Sequence, residues 1–376
     1  MKIIKRYIIT YISLYYISFV VLLFSFVYDF VQISQVSEDA DLSTFKTVHK
    51  NDFVISLRSF QGGFEISHEE GVISPAYTVF RLSAQTYPHY YRHLFKSYGF
   101  IDKINSLTIG IREGKNIQYV DFADMLLPYI PIAEQQRIAE FLDRKCAELD
   151  EMIALQEQII EELKAYKQSV ITEAVTKGLK PNAPMRNSGI DWIDTIPCHW
   201  IVRKMKSLID LKSGSNLTSE QISDKEEGFP VYGGNGVRGT YTEYSNEGEY
   251  VLIGRQGALC GNINYASGKF WVTEHALVCY PKEALNIRWL GESLRAMNLN
   301  QYSLSAAQPG LSADRIKNLY MIVPPLIEQQ AIADYLDEKC ADIDSLIQTK
   351  QEKIDSLKEY KKSIIYEYVT GKRGVE

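Results

Sequence analysis

Shifting the sequence by 194 residues lays Pro131-Ile-Ala-Glu-Gln-Gln-Arg-Ile-Ala over Pro325-Leu-Ile-Glu-Gln-Gln-Ala-Ile-Ala, and the register then holds without a gap. Between 131 and 176, 23 of 46 positions are identical. A register kept that long marks a duplication, and a duplication constrains architecture: the chain reads as two units in tandem. Each copy opens on a proline, suited to a first helical turn, and then has no glycine or proline until Gly178 or Gly371. Two long helices follow from that.

Reading in sevens, the first copy places Leu142, Cys146, Leu149, Ile153, Gln156, Ile160, Leu163, Lys167 and Val170 on one stripe. The second places Leu336, Cys340, Ile343, Ile347, Lys350, Ile354, Leu357, Lys361 and Ile364 there. A helix of about 40 residues at roughly 1.5 Å each is near 60 Å long, more than one globular body needs, so its apolar stripe must meet another long stripe. The other copy is the obvious partner. Gln156/Lys350 and Lys167/Lys361 interrupt the seam. They either fix its register or, the reading preferred here, reach outward over buried stems.

The net charge of −6 is wrong for a nucleic-acid binder until it is sorted by segment. The two helical segments, 131–176 and 325–376, hold 13 bases against 21 acids, whereas 45–127 and 181–323 are close to neutral. Five cysteines (Cys146, Cys198, Cys260, Cys279, Cys340) form no CxxC pair, which argues against a disulfide scaffold or structural zinc and for a reducing compartment.

Ahead of each helix lies a weaker echo: Asn51-Asp-Phe-Val-Ile-Ser-Leu-Arg58 resembles Gly248-Glu-Tyr-Val-Leu-Ile-Gly-Arg255. Both read as a short strand that delivers an arginine into a glycine turn. In the second body Phe229-Pro-Val-Tyr-Gly-Gly-Asn-Gly-Val-Arg-Gly-Thr-Tyr precedes it. Gly234, Gly236 and Gly239 satisfy G-x-G-x-x-G, but a strand pattern follows where a dinucleotide site needs a helix N-terminus. The alternative is that the glycines let backbone approach a ligand while Asn235, Arg238, Arg255 and Gln256 present donors suited to guanine and adenine edges. No Walker A, G-x-S-x-G, H-E-x-x-H or methyltransferase Asn-Pro-Pro-aromatic run occurs. His89 and His93 have helical spacing but no third ligand nearby in sequence, so no metal site is expected.

Asn187-Ser-Gly-Ile-Asp-Trp-Ile-Asp-Thr-Ile-Pro-Cys-His-Trp200, Tyr232-Gly-Gly-Asn-Gly-Val-Arg-Gly239, Gly254-Arg-Gln-Gly257 and Pro324-Pro-Leu-Ile-Glu-Gln-Gln330 together resemble the specificity subunit of type I restriction-modification enzymes, over roughly residues 34–376. The resemblance implies an α+β fold. Two target recognition domains in tandem, each followed by a long helix, would each read half of a split site on double-stranded DNA. The two helices would pair as an antiparallel coiled coil through Leu142, Leu149, Ile153, Ile160, Leu163 and Val170 against Leu336, Ile343, Ile347, Ile354, Leu357 and Ile364. It implies the segments 1–33, atypical and hydrophobic; 34–127, an incomplete first recognition domain; 128–179, the first spacer helix; 180–323, the second recognition domain; and 324–376, the second spacer helix. The DNA-binding set it implies is Tyr232, Gly233, Gly234, Asn235, Gly236, Arg238, Gly254, Arg255, Gln256, Gly257 and Gln308 in the second domain. In the first it is Arg58, Gln61, Gly62 and Gly63.

By the same resemblance the chain is a non-catalytic subunit that binds no cofactor. It positions methyltransferase (modification) subunits and restriction subunits, and S-adenosylmethionine, ATP and magnesium belong to those partners. Residues 7–28 carry no charge and follow Lys2, Lys5 and Arg6, so taken alone they read as a membrane span. A DNA-directed chain downstream argues instead for a cytoplasmic protein whose start is truncated or rearranged. The rival readings are a membrane-tethered coiled-coil interaction protein and a degenerate specificity subunit that reads only one half-site.

Overall fold

The computed structural model describes residues 42–55, 63–107, 122–190, 192–224, 227–257, 259–303 and 310–375. The hydrophobic stretch 7–28 lies outside them. Among the described residues no helix is long and apolar enough to cross a membrane.

The first head contains β1 (Lys46–Val48), β2 (Phe53–Ile55), β3 (Phe64–Ile66), β4 (Gly71–Ile73) and β5 (Thr78–Phe80), then helices α1 (Pro88–Lys96) and α2 (Tyr98–Leu107). Strand β2 is central in the order β3-β2-β5, and β1 pairs with β4. Phe53, Phe64, Phe80, Phe95 and Phe100 are buried and meet ring to ring, so aromatic packing supplies this small core. Helix α3 (Ile132–Lys177) follows, an uninterrupted run of 46 residues.

The second head begins with hairpin β6 (Met185–Ile190)–β7 (Ile193–Pro197), then β8 (Ile201–Lys204), the single turn α4 (Met205–Leu208) and β9 (Ile209–Ser213). Next come β10 (Phe229–Gly233), β11 (Gly236–Tyr241), β12 (Asn246–Glu247), β13 (Tyr250–Gly254), β14 (Ile263–Ala266), β15 (Lys269–Val272) and β16 (Ala276–Pro281). Helix α5 (Ile287–Ala296), the short α6 (Ala313–Lys317), β17 (Tyr320–Val323) and the long α7 (Leu326–Val369, 44 residues) complete it. Two four-stranded sheets result, ordered β14-β13-β16-β9 and β11-β10-β15-β12.

The echo between the heads is structural. Strand β2 pairs antiparallel with β3 and β5, and β13 pairs antiparallel with β14 and β16 in matching register: Phe53 opposes Ile66 as Tyr250 opposes Ala266. Antiparallel β1·β4 likewise corresponds to β12·β15. Strands β9, β10 and β11 have no counterpart among the described residues. At the repeat offset the equivalents of β9 and β10 fall before residue 42, and those of β11 reach Leu42–Thr44, which form a 3-10 turn instead of a strand.

By contact the chain divides into two compact units, one made of residues up to Arg144 with Lys362 onward, the other of Lys145–Lys361. In each, the last turns of one long helix pack with the first turns of the other. In the first unit the Tyr90 hydroxyl donates to the Val369 carbonyl at 2.7 Å, and the rings of Phe141 and Tyr368 lie 4.5 Å apart. In the second, Ile171, Ala174 and Val175 join Trp200, Ile332, Ala333 and Leu336 in one buried cluster. Val175 and Val369 are repeat equivalents, so the two ends are used alike.

Within the second unit the long helices touch side by side. Ile153, Ile160 and Ile354 form a buried cluster flanked by Ile347 and Leu357. The Lys167 ammonium donates to Asp344 and that of Lys361 to Asp150, both at 2.6 Å, and these pairs are one pair repeated at the 194-residue offset. The lysines therefore tie the helices together rather than reaching out to solvent. Gln156 is buried, and its carbonyl oxygen has no hydrogen-bond partner among the described residues. Leu142, Leu149, Leu336, Ile343 and Ile364 are also buried, and Leu163 and Val170 half-buried.

Candidate nucleic-acid interface

Two glycine turns that are distant in sequence meet in the second head. Strand β10 carries Tyr232 and Gly233 into a tight turn, Gly234-Asn235, and β11 returns. Strand β13 ends at Gly254 and delivers Arg255, Gln256 and Gly257, as the strand-to-glycine-turn pattern predicts. The turns cross so closely that a Cβ on Gly254 would overlap the carbonyl oxygen of Gly234, and one on Gly234 would stand 2.9 Å from the His275 carbonyl. Gly236 and Gly257 have φ of 103° and 90°, the left-handed region that a side chain resists. The glycines thus serve backbone crossing and turning, and a strand runs where a dinucleotide fold would start a helix.

The crossing leaves a cleft of about 440 Å³ lined by Gly234, Asn235, Gly236, Val237, Arg238, Gln256, Leu259 and His275. A second cleft of about 430 Å³ is lined by Arg255 and Gln256 of the same turn and by residues 310–314. Arg238, Asn235 and Gln256 are exposed. Arg238 makes no ion pair among the described residues. The Arg255 guanidinium donates to Ser213 Oγ at 3.1 Å, its amide to the His275 carbonyl at 2.8 Å, and its carbonyl accepts from Leu311 at 2.9 Å. It is held from three sides. Asn262 donates from Nδ2 to Asn235 Oδ1 at 2.9 Å, so Asn235 keeps an amide donor for a ligand.

Tyr232 is half-buried, its ring edge-on to Phe270 at 5.6 Å, and burial pushes its hydroxyl above the usual range. It packs the loop from beneath. Of the first-head candidates, Gly63 is buried at the start of β3, while Arg58, Gln61 and Gly62 lie outside the described residues, as does Gln308. Ser213, Leu259, Asn262 and His275 were not legible as cleft residues. Pairing of β13 with β16 sets Gly254 opposite Ala276 and so brings His275 beside the turn, a juxtaposition with no local sequence mark. Among the described residues no group of three or more histidines, cysteines or carboxylates is placed to hold a metal.

A chain with such a crossing of glycine turns on a sheet-built head followed by a long helix defines a class. Residues 197–359 match the family model of the type I restriction modification DNA specificity domain. The resemblance read from the motifs therefore holds. Over 139 residues the chain is 40% identical to the type I restriction enzyme EcoprrI specificity subunit of Escherichia coli, covering 36% of this chain and 35% of that one. It is 24% identical over 284 residues to the EcoKI specificity subunit of Escherichia coli strain K12, covering 68% and 59%. It thus spans between about a third and three-fifths of the length of these curated relatives. In fold it is similar to a chain from a structure of complex assembly and conformational transition of the type I R-M system (TM-score 0.73, 18% identity, 88% and 85% covered). It is also similar to the HsdS subunit from Thermoanaerobacter tengcongensis (TM-score 0.51, 19% identity, 89% and 84% covered).

Proposed function

We propose that this chain is the DNA-specificity subunit of a type I restriction-modification complex. It binds and positions, and it does no chemistry itself. The second head reads one half of a bipartite target through the crossed turns, with Arg238, Gln256 and Asn235 as donors to base edges and Arg255 as a pre-oriented cation. The first head, 34–127, reads the other half around Arg58 and Gly62-Gly63. The two long helices pair as an antiparallel coiled coil that sets the spacing between heads, in keeping with the apolar contacts and repeated lysine–aspartate pairs. Methyltransferase subunits dock on the chain with S-adenosylmethionine, restriction subunits with ATP and magnesium. Because both heads are near neutral, the partners supply much of the charge that neutralises DNA phosphates.

The observation that carries this reading is the meeting of two exposed, donor-bearing glycine turns in one cleft, inside the stretch that matches the DNA specificity domain. The test is duplex binding by the assembled complex. Arg238→Ala and Arg255→Ala are each expected to weaken binding to the selected target, relative to random duplex, by about 1–3 kcal/mol. Equal losses on both duplexes would reassign these arginines to phosphate contact.

A further inference from the structure

We infer that the first unit carries an open docking edge, residues 126–129 with Glu134 nearby in sequence, and that its occupant is an extended segment of another polypeptide in which a tryptophan leads into a strand. In the second unit the equivalent edge is covered. Strand β17 pairs antiparallel with β8, Tyr320 opposing Lys204 and Val323 opposing Ile201, and Trp200, just ahead of β8, is buried. Its indole N–H donates to Glu328 at 2.8 Å, and its ring lies 3.0 Å from where a Cβ on Gly178 would stand. The first unit follows the same path through 122–135. The Met125 amide donates to the Phe122 carbonyl at 3.1 Å as that of Leu319 does to Ile316 at 3.0 Å. The Gln135 side chain donates to the Ile130 carbonyl at 2.8 Å as that of Gln329 does to Pro324 at 3.0 Å.

In the first unit the edge is open. Among the described residues no backbone hydrogen bond engages Leu126, Leu127, Pro128 or Tyr129, and the Glu134 carboxylate has neither a hydrogen bond nor an ion pair. Leu126 is 99% exposed and Tyr129 70%, where Tyr320 and Val323 are 49% and 6%. Gly371 ends its helix with φ of 70° as Gly178 does with 75°, but a Cβ on Gly371 would meet nothing within 4 Å. The edge is fit for a strand. Because the Met205 amide donates to the Leu319 carbonyl, ladder bonds in the second unit fall on alternate residues, Met321 and Val323, and pass over Ile322. Pro128 stands at that passed-over position, so its lack of an N–H removes no ladder bond. An unpaired edge takes an added strand through its main chain, and the side chains that the strand seats give selectivity. Glu134 accepts and cannot donate, so it suits an indole N–H, as Glu328 does, and repels a phosphate-bearing partner. The chain's four tryptophans, Trp192, Trp200, Trp271 and Trp289, all lie in the second head, so the occupant is a separate polypeptide.

The experiment measures fluorescence anisotropy of a labelled peptide of residues 194–206, which spans Trp200 and β8, against the full chain under reducing conditions. Saturable binding at one site per chain is expected. Trp200→Ala in the peptide weakens it about tenfold or more, and Glu134→Gln in the chain about fivefold. The register adds a signed check. Leu126 would oppose the peptide's Lys204, so Leu126→Asp tightens binding and Leu126→Lys weakens it, each by about twofold, whereas a disturbed edge would weaken both. No binding by the full chain, or equal losses in the two Leu126 variants, overturns the inference. Sensitivity to Glu328→Gln in place of Glu134→Gln also overturns it, because the peptide would then sit in the second unit. So does binding gained only after residues 1–41 are removed, since the chain's own leading residues would then be the occupant. Peptide docking and duplex selection by the second head are separate readouts, so either can fail while the other stands.

Discussion

Gly254 has no room for a methyl group, since the carbonyl oxygen of Gly234 occupies the place where a Cβ would stand. Gly254→Ala is therefore expected to pry the two turns apart and to cost about 2 kcal/mol or more of stability, with loss of specific binding. Thermal unfolding and duplex binding measured together check this, and an unchanged melting profile contradicts the crossing. A second residue-scale device is Glu328. Burial opposes its ionisation, but the Trp200 indole N–H at 2.8 Å, His199 and Lys180 outweigh that and hold its carboxyl below the usual range. A carboxylate with a depressed folded-state pKa contributes stability above its unfolded pKa and loses it as pH falls through the folded one. Glu328→Gln should thus destabilise by about 1–2 kcal/mol at pH 7, and denaturant titrations should show the difference from the parent chain shrinking toward pH 3. Arg255 and its glycine turn were legible from the strand pattern. Ser213 and His275 were not, because they lie 42 and 20 positions from Arg255, and residues brought together by strand pairing leave no local spacing to read.

Among the elements, the long helices were the most legible, since a run without glycine or proline and with a sustained heptad has one regular solution. What their sequence left open was the role of the polar seam positions. Lysine stems are long enough for either solvent or a partner, and only the opposing aspartates, at repeat-equivalent positions, decide for the partner. Ile160→Asp or Ile354→Asp places an unpaired charge in the buried cluster and is expected to cost about 3 kcal/mol or more, seen as a lower unfolding midpoint. Gln156→Leu goes the other way. Its carbonyl is buried without a partner, so leucine should leave stability equal or raise it by about 1 kcal/mol. A large loss in that variant would mean that Gln156 supports the seam. The strand echo in the first head was only partly legible: the match at Asn51–Arg58 is visible, whereas β1·β4 and β12·β15 correspond in chain order and antiparallel direction without shared residues.

At the scale of the whole molecule, duplication organises everything described. Each compact unit joins the start of one long helix to the end of the other, and the same repeat-equivalent residues make the joins. The excess of acids over bases sits on the helices and the heads stay near neutral, a division in keeping with the proposal that the heads approach DNA without a basic surface of their own. The central claim is that two heads on paired helices read a two-part target. Its most direct test is to map methylated adenines in cells carrying this chain with its methyltransferase subunits, for the parent sequence and for Arg238→Ala with Arg255→Ala. The expected result is a motif of two short parts separated by a fixed gap, with one part lost or relaxed in the variant. A palindromic or single-part motif, or a two-part motif untouched by those substitutions, would contradict it.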